Sequence, residues 1–175
     1  MKNKRIRLVK VLSQTIAILL LLGYLYLLTE LLLFSFRTPM GEQSRLTYEE
    51  YFKHKVNIVP FKTIQMYLGY NSYNSIINIF GNILVFFPMG LFYGYFFKRT
   101  NNVILSILVF SFVSFVFEAL QMLFLVGSFD VDDILLNALG GTIGFLLMLL
   151  FKGMKYLTQR KHYNSSAKKS AKRQT

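Results

Sequence analysis

Apolar residues along this chain are gathered in blocks and lack the spacing of a helix with one wet face. Four runs, Val11 to Phe36, Ser75 to Phe97, Val103 to Val126 and Ile134 to Phe151, are each near or above the ~18 to 20 residues a membrane-crossing helix needs. Polar stretches separate them: residues 37–74, a basic turn at Lys98 and Arg99, and a short link around GSFDVDD. The pattern predicts an all-α membrane protein with four transmembrane helices. Its single membrane domain spans residues 11–151, between a basic amino terminus (1–10) and a basic tail (152–175).

Charge gives this arrangement a direction. All eight acidic residues and only five of the twenty basic ones fall on one side of the four runs, leaving fifteen basic residues on the other. Lysine and arginine mark the cytoplasmic side, so both termini are expected inside the cell, with residues 37–74 and the GSFDVDD link outside. The chain is therefore expected to be a multi-pass membrane protein with both ends in the cytoplasm. Its start could pass for a secretory signal, but the apolar stretch is too long and no small-residue cleavage pattern follows, so a retained first helix is expected.

The net charge of +12 invites comparison with nucleic-acid binders. Aromatic residues for base stacking are nearly absent from the basic tail, however, and its lysines suit anionic inner-leaflet lipid. With little apolar surface, that tail is expected to be disordered. Cysteine is absent, which excludes disulfides and thiolate chemistry. His54 and His162 stand alone, and no phosphate-binding loop, dinucleotide fingerprint or HExxH pattern is present.

Inside the runs, polar residues recur on single helical faces. Asn74, Asn78 and Asn82 share one stripe of the second helix. Ser111, Ser114, Glu118 and Gln121 share one face of the third, and Asp133 and Asn137 open the fourth. If the second and fourth helices run inward and the third outward, Asn82, Glu118 and Asn137 each lie ~9 to 12 Å below the outer ends, with Glu30 of the first helix nearby. An unpaired charge in hydrocarbon costs several kcal/mol, so these groups are expected to face a common outward-facing polar pocket. The competing reading is helix-packing glue, worth about 0.6 to 2 kcal/mol per polar pair.

Glycine spacing fits such a pocket. Gly90 and Gly94, and Gly140 and Gly144, are spaced for close helix approach, while Pro88 sits where it can kink the second helix. Asp130, Asp132 and Asp133 beside the pocket form an oxygen cluster of the kind that takes Ca²⁺ or Mg²⁺. Three carboxylates fall short of a full oxygen shell, and aspartate in a first turn also caps a helix, a role that suits Asp132 best. No resident metal or cofactor is expected.

The segments VNIVPFKTI, NIFGNILVFFPMG, FEALQ and FDVDDILLNALGGTIG, in this order between about Val56 and Leu150, resemble the VanZ-like membrane family. The resemblance implies a multi-pass bacterial membrane protein, from a family whose named member is associated with resistance to the glycopeptide teicoplanin. Many members carry a motif like GRxFDxDD. Here Ser128 follows Gly127 and the arginine is missing, which would leave anion binding to Lys62, Arg45 or Arg37.

The family has been grouped with enzymes that exchange or hydrolyse lipid head groups. On that footing Glu118, Asp130 and Asp133 are the candidate catalytic groups. Asn78, Asn82, Gln121, Asn137 and Lys62 would hold the substrate, a membrane lipid or lipid-linked wall precursor in the outer leaflet. The alternative is a non-catalytic binding or structural protein.

Overall fold

The structure, a computed structural model, describes residues 2–35, 48–69, 73–97 and 101–171. Helix α1 (Lys2–Glu30) runs into a π-helical turn, Leu31–Ser35. Two short helices follow, α2 (Tyr48–Lys55) and α3 (Lys62–Gly69), separated by the two-residue strand β1 (Val56–Asn57). Next come α4 (Tyr73–Phe96), α5 (Val103–Leu123), strand β2 (Phe129–Asp130) and α6 (Val131–Ala171). Four segments are long and apolar enough to cross a membrane, Lys4–Phe34, Ser75–Phe96, Val103–Leu123 and Val131–Lys161, and they coincide with the four apolar runs.

Two helix boundaries have clear local causes. At the start of α5, the Asn102 side chain accepts the Leu105 N–H at 3.1 Å, using one of the donors a first turn leaves free. At the far end of the chain, α6 does not stop near Phe151. Its backbone stays helical to Ala171, in place of the disorder expected for residues 152–175. Extending an existing helix needs no new nucleus, and this stretch contains no proline and several good helix formers.

Helices α4 and α6 form the tightest pair, and glycine is the reason. A Cβ on Gly140 would strike the carbonyl of Ile83, and one on Gly144 that of Phe87. Lipid is as apolar as leucine, so membrane helices gain little from burying apolar surface against each other. Close backbone packing and interhelical hydrogen bonds take over. Contacts rise in step along both chains (Ile83 with Gly140, Phe87 with Gly144, Gly94 with Met148), so α4 and α6 run parallel. The contacts of α5 with α6 run in opposite order, from Glu118 with Asp130 through Ser114 with Asn137 to Phe110 with Gly141, so that pair is antiparallel.

Below the polar layer the centre is aromatic. Phe110 and Phe145 are fully buried, and the Tyr93 ring meets each edge-on at 5.4 Å. Helix α1 is attached more lightly. Its Tyr24 packs on Phe92 at 5.7 Å and donates its hydroxyl to the carbonyl of Val85 at 2.9 Å.

Residues 48–69 do not stand apart from the bundle. Strand β1 pairs in parallel with β2, Val56 opposite Phe129 and Asn57 opposite Asp130. Tyr51 is buried, and its hydroxyl donates to the carbonyl of Gly127.

Candidate functional site

A cavity of about 250 Å³ lies where the first turns of α4 and α6 meet the last turns of α5. Helix α4 contributes Asn78 and Asn82, α5 contributes Glu118 and Gln121, and α6 contributes Asp133. The turn Val126 to Ser128, Leu32 below α1, and Lys55 and Tyr67 from the 48–69 segment complete the wall.

Helical spacing explains these contributions. Asn78 and Asn82 are one turn apart, as are Gln121 and Glu118, so each pair projects from one face. Asn82 Nδ2 donates to Asp133 Oδ1 at 2.5 Å, tying α4 to α6 across the cavity wall. Glu118 is 3% exposed, and its Oε2 accepts the backbone N–H of Asp130 at 3.1 Å. Tyr67 shares a hydrogen bond with Asn78. Burial foremost, and then the Asp133 carboxylate, raise the Tyr67 pKa, so its hydroxyl is a neutral donor at physiological pH.

The three aspartates have separate partners. Asp132 is fully buried and accepts the backbone N–H groups of Phe61 at 2.5 Å, Thr63 at 2.8 Å and Ile64 at 3.1 Å. It is a cap, as its position in a first turn implies, but the helix it caps is α3, not its own. Asp130 accepts from Asn57 Nδ2 at 2.9 Å and the Asp132 N–H at 2.9 Å through Oδ1, and from Thr63 Oγ1 at 2.5 Å through Oδ2. Phe61 has a left-handed φ of 66°, a conformation that costs a bulky residue of order 1 to 3 kcal/mol. It is held there by its N–H bond to Asp132. Only Asp133 of the three lines the cavity.

Among the residues expected at the site, Asn78, Asn82, Glu118, Gln121 and Asp133 are brought together. Asp130 adjoins them through Glu118, with its carboxylate turned toward the 48–69 segment. Asn137 is not part of the wall. It is buried one turn further along α6, where its Nδ2 donates to Ser114 Oγ at 2.8 Å, and its Oδ1 has no partner among the described residues. Lys62 is exposed and does not line the cavity, and Glu30 is exposed on α1. Arg37, Arg45 and the side chain of Asn74 lie outside the described residues. No group of three acidic or histidine side chains placed to hold a metal occurs among the described residues.

Sequence reasoning missed Lys55 and Tyr67, which reach the cavity from short helices whose docking no periodicity announces. Asn57 and Thr63 were more accessible. Both lie in the VNIVPFKTI segment, and the structure shows why that segment and FDVDD belong together: one supplies the donors, the other the acceptors.

The protein-family comparison gives a match to the model described as VanZ/LLP1 over residues 21–152. Among curated proteins the chain is similar to Protein VanZ of Enterococcus faecium, with 29% identity over 140 residues, covering 78% of this chain and 76% of that protein. No solved structure gives a significant match. The family match takes in all of α4, α5, β2 and the first turns of α6, with every cavity residue, and on that evidence the chain belongs to the VanZ/LLP1 family.

Proposed function

We propose that this membrane protein sits in the bacterial plasma membrane with both termini inside, and that its cavity opens outward to take the head group of a membrane lipid or lipid-linked wall precursor. The observation that carries this reading is the buried Glu118 beside Asp133 in the wall of a cavity set at the ends of apolar helices. Polar glue accounts for the hydrogen bond of Asn137 to Ser114 between α6 and α5. It does not account for Glu118, Gln121, Asn78 and Asp133 gathered around open space. A cavity of about 250 Å³ has room for roughly eight waters at ~30 Å³ each, the scale of a head group and far below that of a whole lipid.

The same groups suit transfer or hydrolysis of the head group. In such a reaction a carboxylate, Glu118 or Asp133, takes the proton of an incoming hydroxyl or water as its oxygen bonds to phosphorus. The bond from phosphorus to the departing oxygen breaks, and the proton passes to that oxygen. Asn82 and Gln121 hold the reacting group, while Asp130, bound to Asn57 and Thr63, positions the wall. The VanZ family is associated with teicoplanin resistance, and a protein that alters an outer-leaflet lipid or wall precursor would fit that association.

Lipid and wall-precursor profiles of deletion, wild-type and Glu118→Gln cells test the enzyme reading. The variant, at normal membrane abundance, is expected to accumulate the same species as the deletion strain. A wild-type profile in Glu118→Gln cells would remove catalysis and leave binding.

A further inference from the structure

The cavity wall carries one basic and two acidic side chains that are not paired with one another. Lys55, the last residue of α2, lines it, and its side-chain ammonium makes no hydrogen bond or ion pair to any other described residue. In the same wall, Glu118 commits Oε2 to the Asp130 N–H while Oε1 accepts nothing among the described residues, although the residue is 3% exposed. Asp133 likewise binds Asn82 through Oδ1, and its Oδ2 accepts nothing among the described residues. Removing charges from water without pairing them is costly, and a ligand that pairs them recovers that cost.

The arrangement discriminates between ligand charges. A plain anion would be drawn to Lys55 and repelled by two carboxylates. A cation alone, including a divalent metal, would be drawn to the carboxylates and would leave Lys55 unpaired. A neutral sugar would leave every charge unpaired. We propose that the cavity is a site for a zwitterionic head group, a phosphate joined through a short linker to a primary ammonium, with phosphate at Lys55 and ammonium between Glu118 and Asp133. Asn82 and Tyr67 add neutral polar groups to the same wall. This rests on the reading of the cavity as a head-group site and adds the class of head group.

The test uses the full chain in nanodiscs containing equal amounts of phosphatidylethanolamine, phosphatidylglycerol and diacylglycerol with identical acyl chains. Lipid retained by the released protein is counted by native mass spectrometry. Wild type is expected to keep one phosphatidylethanolamine at least ten-fold in preference to phosphatidylglycerol. Lys55→Gln and Glu118→Gln should each abolish that preference; Lys55, at the end of a short surface helix, can be changed without disturbing the bundle.

Water-soluble glycerophosphoethanolamine should displace the lipid and glycerophosphoglycerol should not, whereas equal displacement by both would count against the charge assignment. Equal or greater retention of phosphatidylglycerol, unchanged by Glu118→Gln, would overturn the zwitterion while leaving a head-group site. Retention of no lipid by wild type would overturn both.

Discussion

Three aspartates within four positions look interchangeable in sequence, yet each is assigned by what reaches it. Asp132 collects three backbone N–H groups from the start of α3, and Asp130 collects the side chains of Asn57 and Thr63. Only Asp133 faces the cavity. Hydrogen bonds to a buried carboxylate are among the stronger ones, and deleting it leaves donors unsatisfied. Asp132→Ala is therefore expected to destabilise the protein by about 3 kcal/mol. Amide exchange at Phe61, Thr63 and Ile64 should accelerate well beyond that of α5. Exchange at these three amides that stayed at wild-type rates would show that the carboxylate does not hold the segment. The capping character of Asp132 was legible from its place in a first turn. Its true partner was not, because nothing local in FDVDD points to a helix about 70 residues earlier.

Among the helices, α4 and α6 owe their closeness to missing side chains. Gly140→Val would drive a branched side chain into the Ile83 carbonyl, with an expected cost of ~3 kcal/mol or more and loss of the α4–α6 contact. Gly23, where a methyl group would meet no neighbouring atom within 4 Å, offers the control: Gly23→Ala should be neutral or stabilising by up to ~1 kcal/mol. Thermal melts in detergent read both, and equal losses would mean that glycine packing does not hold this pair.

The four spans and the two glycine pairs were readable in advance, since length, hydropathy and small-residue spacing are local signals. In the structure Asn82, Glu118 and Asp133 line one cavity, each from an element on which helical spacing sets the direction of its side chain. Asn137 was misplaced because it follows Asp133 by one turn on the same face, and only the position of Ser114 decides which layer it joins. Lys55 and Tyr67 depended on how residues 48–69 dock, a long-range matter that β1 and the two aspartates settle. The length of α6 was underestimated because composition predicts whether a segment can fold alone, whereas this one continues a helix already formed.

At the scale of the whole molecule, polar groups gather at one end of the bundle and aromatic packing fills the middle. The cavity takes groups from α4, α5 and α6 and is completed by Lys55 and Tyr67. Because α4 and α6 are parallel and α5 antiparallel, that end is the same side of the membrane for all three. On the proposed topology, with the lysine-rich and arginine-rich ends inside, it is the outer side. The absence of cysteine allows a direct test with single substitutions in an otherwise unreactive chain. Asn78→Cys, at an exposed position of the cavity wall, and Met154→Cys, beyond the fourth apolar run, are each treated in intact cells with a membrane-impermeant maleimide. Labelling at position 78 in intact cells, with position 154 reacting only after permeabilisation, is the result expected of an outward-opening cavity. The reverse pattern would place the cavity on the cytoplasmic side and contradict an outer-leaflet site.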